Sequence, residues 1–285
     1  MSSQITTAFV NQYRDNVALL SQQKGSKLRG TVRNETQQGE FEFFDQIGAS
    51  SAQRVTNRHG DTTYANTPHS RRRVGLVDYD WADLIDKPDK VRTLNDPTNA
   101  YALSAAYAMG RAQDDEIIAA LGGTAYTGQA GGTSVALPSS QKISHSSASL
   151  NITKLLTTKE ILDGADVDPD LPRYIALGVK QMTSLLQTTE IKSADYNTVK
   201  ALVKGEIDTF MGFKFITINR LPLSSTTRLC YAWVQDGVLL STGIEPVGRI
   251  DELPGKRYST QVYYCGSFGA TRMEEAKVVE IACTE

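Results

Sequence analysis

PTNAYALSAAYAMGRAQDDEIIAAL, residues 97–121, is the longest helical stretch in the sequence, and the rest of the chain is read outward from it. Asp96 is placed as its N-cap and Pro97 at the first helical position, where a missing N–H costs nothing. Gly122 and Gly123 supply the stop, because glycine takes the left-handed conformation that ends helices. Twenty-five residues at about 1.5 Å each make a strut roughly 37 Å long. Eight alanines, among them Ala105, Ala106, Ala119 and Ala120, keep most faces low, so a neighbouring sheet or helix can approach closely. Leu103, Tyr107, Ile117 and Leu121 form a bulkier stripe with Gly110 at spacings of three, four and seven. Asp114 falls in that stripe, beside Asp115 and Glu116. Two readings stand for it: the solvated edge of a core helix, or an acidic docking point for a basic loop.

Size and charge bound what this strut can serve. With 285 residues the chain can bury a large core, as one elaborate domain or as two lobes. A net charge of −2 argues against a surface built as a nucleic-acid platform. Cys230, Cys265 and Cys283 are an odd count without a CxxC pair, which points to buried thiols in a reduced compartment. The first residues show no basic start followed by an apolar core, and no apolar run approaches the roughly 20 residues that cross a bilayer. The expectation is a chain made and kept in the cytoplasm.

Ahead of the strut, residues 3–23 read as an amphipathic helix with Ile5, Phe9, Tyr13, Val17 and Leu20 on one face. A basic run follows, Lys24, Lys27, Arg29 and Arg33. This terminal segment either packs on another subunit as an arm or covers the chain's own sheet. In GEFEFFDQIG, residues 39–48, Phe41 and Phe43 alternate with Glu40 and Glu42 as a half-exposed strand. Its predicted partner is 74–81, where Val77, Tyr79 and Trp81 alternate with Asp78 and Asp80. The stretch between them has little apolar content, and structureless loops beyond about 12–15 residues are uncommon unless they work. It is therefore expected to reach away from its own domain. Arg54, Arg58, His59, His69, Arg71, Arg72 and Arg73 make it basic, and Asp78, Asp80, Asp83 and Asp86 follow as an acidic block. Opposite charges on two arms of one hairpin suit docking against neighbours arranged head to tail.

Beyond the strut, residues 122–149 are rich in Gly, Ser and Thr and read as flexible or irregular. A helix is predicted over 152–163 with Asn151 as cap, and VDPDLP at 167–172 marks a turn or boundary between lobes. An α/β pattern then sets in, with strands at 174–177, 213–218, 228–234, 244–250, 258–264 and 277–283. Helices fall at 179–187 and 193–203, and a hairpin turns around 252–255. In 228–234, Leu229, Tyr231 and Trp233 are expected to share one face.

Chemistry is sparse. His59, Asp61 and His69 are the only group with metal-ligand character, and their spacing matches no zinc signature. Asp78 and Asp80 share a strand face, where solvation outweighs two-metal chemistry. The glycines after the strut lack the Lys and Ser/Thr of a phosphate-binding loop. The cysteines lie in predicted strands, as buried thiols rather than nucleophiles. The sequence assembles no active site and implies no cofactor and no metal.

Six segments in order along the chain carry a resemblance: FDQIG (44–48), RHGDT (58–62), PHSRRR (68–73), DWADLID (80–86), MGRAQDDEIIAALGGTAYTG (109–128) and GEIDTFMGFKFITINRLP (205–222). Together they resemble the major capsid proteins of tailed bacteriophages. The resemblance implies an α+β, HK97-like major capsid fold. Its parts would be an N-terminal arm (1–36), an extended β-hairpin loop with flanking strands (37–90), a peripheral domain (91–171) with the spine helix 97–121, an axial domain (172–265) and a return strand to the peripheral domain (266–285). The segment 124–150 is long for that fold and has no assigned place. The implied function is structural, not enzymatic: self-assembly into the icosahedral head that encloses a double-stranded DNA genome. Implied partners are further copies as pentamers and hexamers, a scaffolding protein, a portal and, on some shells, a decoration protein, with no membrane. The implied location is the virion, assembled in the host bacterial cytoplasm. From the charges, the expected intersubunit contacts are Arg54, Arg58, His59, Arg71, Arg72 and Arg73 against Asp83, Asp86, Asp114 and Asp115. A slightly acidic container also lets DNA slide, where tight phosphate binding would hold it. Two alternatives are an encapsulin-like nanocompartment and a nucleic-acid-binding protein using the basic runs 24–33 and 54–73.

Overall fold

Side-chain alternation, more than helical spacing, shapes this chain in its computed structural model, which describes residues 21–56, 60–86, 98–187 and 209–285. Strands β1 (Arg33–Thr36), β2 (Phe41–Ile47), β3 (His69–Gly75) and β4 (Val77–Ile85) precede helix α1 (Thr98–Gly122). Next come β5 (Ala125–Thr127), β6 (Thr133–Val135), β7 (Lys142–Ile143), helix α2 (Ile152–Gly164), β8 (Arg173–Leu177) and helix α3 (Val179–Gln187). The remainder is strand: β9 (Thr209–Phe210), β10 (Phe213–Thr217), β11 (Leu223–Ser224), β12 (Thr227–Val234), β13 (Val238–Leu253), β14 (Ser259–Arg272) and β15 (Val278–Thr284). The predicted helix 193–203, the Asp96–Pro97 cap and residues 3–20 of the predicted helix 3–23 lie outside the described residues, and the last three residues of that helix, 21–23, are not helical.

These strands form three sheets, ordered β1-β13-β14-β4, β7-β15-β12-β8-β10-β9 with β11 beside β12, and β2-β3-β5-β6. The second holds much of the core. All of β8 is buried, and Cys230, Ala232 and Val234 of β12 are as buried as Tyr231 and Trp233. Leu229, Tyr231 and Trp233 alternate along β12 and so share one face as expected, and the opposite face is buried too, as in a strand covered on both sides. Helix α2 begins as expected, with Asn151 Oδ1 accepting the Lys154 backbone N–H at 2.9 Å.

Two corrections concern the region ahead of and behind α1. The partner of β2 is β3, in the antiparallel register Phe41↔Gly75 to Ile47↔His69, and not 74–81. HSRRRVG hides its alternation behind charge, yet Arg72 and Val74 are buried while Arg71 and Arg73 are not. Strand β4 instead joins β14 as the edge of the first sheet. The Gly/Ser/Thr stretch is also structured: β5 continues the sheet from β3 through Arg72↔Thr127, β6 follows it, and β7 pairs in parallel with β15.

The chain divides into two compact units, each discontinuous in sequence. One runs through Ser26, Asp78–Ala112 and Ile244–Gly266; the other holds Lys27–Val77, Gln113–Gly243 and Ser267–Glu285. The expected boundaries at 172 and 265 do not separate sheets, since β7, β8 and β15 lie in the same one. A strand returning from the end of the chain pairs wherever an edge is open, so sequence order does not delimit the layers.

Candidate functional site

The hairpin β2–β3 has two faces of different chemistry. On the inner face Phe44 packs against Val74, Leu239 and Met273. Arg72, buried, donates from Nε to the Met273 carbonyl at 2.9 Å and pairs through Nη2 with Glu275 Oε2 at 2.5 Å. Gln46 Nε2 donates to the same carbonyl at 3.0 Å. Glu275 also lies 3.6 Å from Nε of Arg272, which is fully buried. Arg272 in turn donates to the carbonyls of Leu121 (3.1 Å) and Gly123 (2.8 Å), at the end of α1. Those carbonyls have no partner within a helix and favour a cation. Burial lowers the Arg272 pKa, and neighbouring Glu275 draws it back up.

The outer face is aromatic and basic. Phe41 is 47% and Tyr126 41% exposed, and the Arg73 guanidinium lies 4.7 Å and 4.8 Å from their ring centroids. Arg71 sits 5.5 Å from the Phe43 centroid and grips Asp45 with two hydrogen bonds, Nε to Oδ1 at 2.5 Å and Nη2 to Oδ2 at 3.2 Å. That hydrogen bonding holds the Asp45 carboxyl below the usual carboxylate range. Arg73 has no carboxylate partner among the described residues. Gly131, at φ +63°, lets the β5–β6 turn pass over this face, where a Cβ would come within 2.9 Å of the Arg73 Cβ.

From the neck of the hairpin, closed by the Gly48 N–H to the Pro68 carbonyl at 2.9 Å, the chain makes a long excursion. Every described residue of 48–68 except Thr67 is exposed, including Val55 at 85% and Tyr64 at 87%. Arg54 lies in it; Arg58 and His59 fall outside the described residues.

The acidic candidates separate. Asp114 is fully buried and accepts the Lys27 N–H at 3.1 and 3.0 Å and the Leu28 N–H at 3.0 Å. It is not a solvated edge: it docks the basic run 24–33 of its own chain, through two backbone amides. Asp115 pairs with Arg220 of the same chain, which raises the Arg220 pKa. Asp83 Oδ1 accepts the Leu84 N–H at 2.8 Å, and Asp86 accepts the Ser259 hydroxyl. One turn before Asp114, a Cβ on Gly110 would stand 2.5 Å from the Ser26 nitrogen. Arg111 Nη1 donates to Gln22 Oε1 at 3.0 Å and to the Gln23 carbonyl at 3.1 Å. Sequence reasoning missed that Gly110, Arg111 and Asp114 fasten residues 22–28; a glycine inside so alanine-rich a helix was the available signal.

Cys230 and Cys283 are buried in strands as expected, whereas Cys265, in β14, is only half-buried; hydrogen bonding to Cys283 together with burial pushes the Cys230 thiol up. Among the described residues no group of three or more His, Cys, Asp or Glu could hold a metal, and no helix is long and apolar enough to cross a membrane.

The sequence matches the model of the phage capsid protein family over residues 5–285. No curated protein matches it. Among solved structures it is similar to the capsid of the cyanophage P-SCSP1u, at 14% identity and a TM-score of 0.77, covering 100% of this chain and 96% of that one. It is also similar to the head structure of the Helicobacter pylori bacteriophage KHP40, at 12% identity and a TM-score of 0.76 over 99% and 98% of the two chains. Mycobacterium phage Che8 aligns at 14% identity and a TM-score of 0.72 over 96% and 97%. At such identities the likeness is one of fold: a mixed α+β architecture, with three α-helices and several sheets among the described residues.

Proposed function

Because the chain belongs to the phage capsid protein family and is a capsid shell protein, we propose that copies of it self-assemble, as pentamers and hexamers, into the icosahedral head of a tailed bacteriophage. The observation that carries the reading is the excursion 48–68, which leaves Val55 and Tyr64 in solvent. Exposed apolar side chains on an extended loop gain burial only against another molecule, and in a shell of one kind of chain that molecule is the next copy. The role is structural, and its place is the virion. We further propose that the head is assembled in the host bacterial cytoplasm with a scaffolding protein and a portal, that some shells add a decoration protein, and that double-stranded DNA is enclosed without sequence-specific contact. The net charge of −2 supports the last point.

Arg54, Arg58, His59, Arg71 and Arg73 remain proposed basic contacts, and Asp83 and Asp86 remain among the proposed acidic ones. Arg72 and Asp114 are buried and spent within the chain, whereas Asp115, in an exposed pair with Arg220, stays among the proposed acidic contacts. A family of phage capsids does not favour the nanocompartment alternative. Electron microscopy of the purified chain, alone and co-expressed with the proteins encoded beside it, tests the reading. Closed shells or capsomers are expected, and replacing residues 51–66 by a short turn should leave a folded chain that no longer assembles. A monomer under every condition overturns self-assembly.

A further inference from the structure

We propose that the outer face of β2, β3 and β5, centred on Arg73, is a carboxylate receptor for the edge strand β4 of a second copy, which presents Asp78 and Asp80. The proposal rests on the shell reading above and names the partner surface for it. Arg73 is the first observation. Its guanidinium lies beside two rings, 4.7 Å from Phe41 and 4.8 Å from Tyr126, and no hydrogen bond among the described residues uses its N–H groups. A planar group held by stacking, with its donors free, is prepared for a carboxylate before one arrives. Arginine and aromatic residues are also the types that concentrate at the centre of protein interfaces.

The second observation is spacing. Arg71 and Arg73 project from one face of β3, two residues apart, and Asp78 and Asp80 from one face of β4, also two apart. At about 3.3 Å of rise per residue, both combs have teeth roughly 6.6 Å apart. Asp78 and Asp80 are exposed, without an ion-pair partner among the described residues, on a strand at the edge of its sheet. Acids on an edge strand also deter stray pairing, but deterrence does not need the spacing of a basic comb. Arg71 already holds Asp45, with side chains 39% and 68% exposed. So open an ion pair is weak and can exchange partners. Leu84, 43% exposed on the same β4 face as Asp78 and Asp80, supplies apolar surface for Phe41 and Phe43.

A charge swap tests the pairing. Arg73→Glu, the double variant Asp78→Arg/Asp80→Arg, and all three changes together are produced beside the wild type. The fraction in shells or capsomers is read by size exclusion and electron microscopy, with melting temperature as the check on folding. Each single-sided reversal should lower the assembled fraction at least tenfold at an unchanged melting temperature, and the combination should restore half of it or more. Arg73→Glu assembling like wild type overturns the proposal, as does reversal of the acids without effect. Salt-sensitive binding of an oligonucleotide that Arg73→Glu removes, with assembly unchanged, would assign the face to nucleic acid instead. Should Arg73→Glu not fold, Tyr126→Leu frees the guanidinium without changing charge; a threefold or greater fall in assembly supports the receptor, and no fall overturns it. If the wild type forms neither shells nor capsomers, the shell reading fails first and the pairing with it.

Discussion

Single side chains decide how the N-terminal part of the chain is fastened. Asp114 accepts backbone N–H groups from both Lys27 and Leu28 inside the protein. Removing the carboxylate leaves the buried Leu28 N–H unsatisfied, at about 1–3 kcal/mol, while the part-buried Lys27 N–H can turn to water. Asp114→Ala should therefore destabilise the unassembled chain by about 1–3 kcal/mol, read from the denaturant midpoint. Gly110→Ala places a methyl 2.5 Å from the Ser26 nitrogen, so residues 22–26 should become accessible to limited proteolysis. Glu285 sets an acid limit. Hydrogen bonds from Arg228, Lys180 and Gln181 draw its carboxyl from 4.5 down to about 2. A carboxyl depressed by folding stabilises the protein above the unfolded value and loses that contribution as pH falls through the folded one. The melting temperature should hold this contribution above pH 4.5 and lose it toward pH 2, and Glu285→Gln should flatten that part of the profile. An identical slope in wild type and variant would count against the assignment.

Elements differ in how openly the sequence announces them. The helices were legible because caps and periodicity are local: Asn151 caps α2, and the strut ends at Gly122, one residue past its expected end. Strand β3 was not, since three arginines in succession mask which of them faces the core. Strands β5, β6 and β7 have two or three residues each and take their conformation from the partners they pair with. The site was half legible for the same reason. A basic loop and an acidic block can be read from composition, but Arg72 and Arg73 project to opposite faces, and register alone assigns one to Glu275 and the other to Phe41 and Tyr126. These adjacent residues should behave differently in the unassembled chain. Arg72→Ala strands a largely buried carboxylate and should cost about 3 kcal/mol, whereas Arg73→Ala removes exposed cation–π contacts and should cost about 1 kcal/mol or less. Urea titration of both variants checks the contrast.

For the molecule as a whole, the order of motifs pointed to the family, because spacing along the chain survives where individual residues vary. The layers were not readable in that order, since each sheet collects strands from distant parts of the sequence. Pairing of β7 with β15 and of β8 with both β10 and β12 depends on tertiary placement that no local pattern encodes. The seven-stranded sheet, with β8 wholly buried, should contain the slowest-exchanging backbone amides in hydrogen exchange, and the described residues of 48–68 the fastest.

Strand β1 lies parallel to β13, in the register Arg33↔Leu239, and the Trp233 indole donates to the Thr31 carbonyl, 202 residues away in the chain. At about 5–20 residues per second of translation, the early strand waits on the order of ten seconds or longer for its mate to leave the ribosome. A nascent chain in that interval has its basic hairpin but no finished body to carry it. Closure of this parallel pair therefore comes late in folding on the ribosome, long after its first strand has been made.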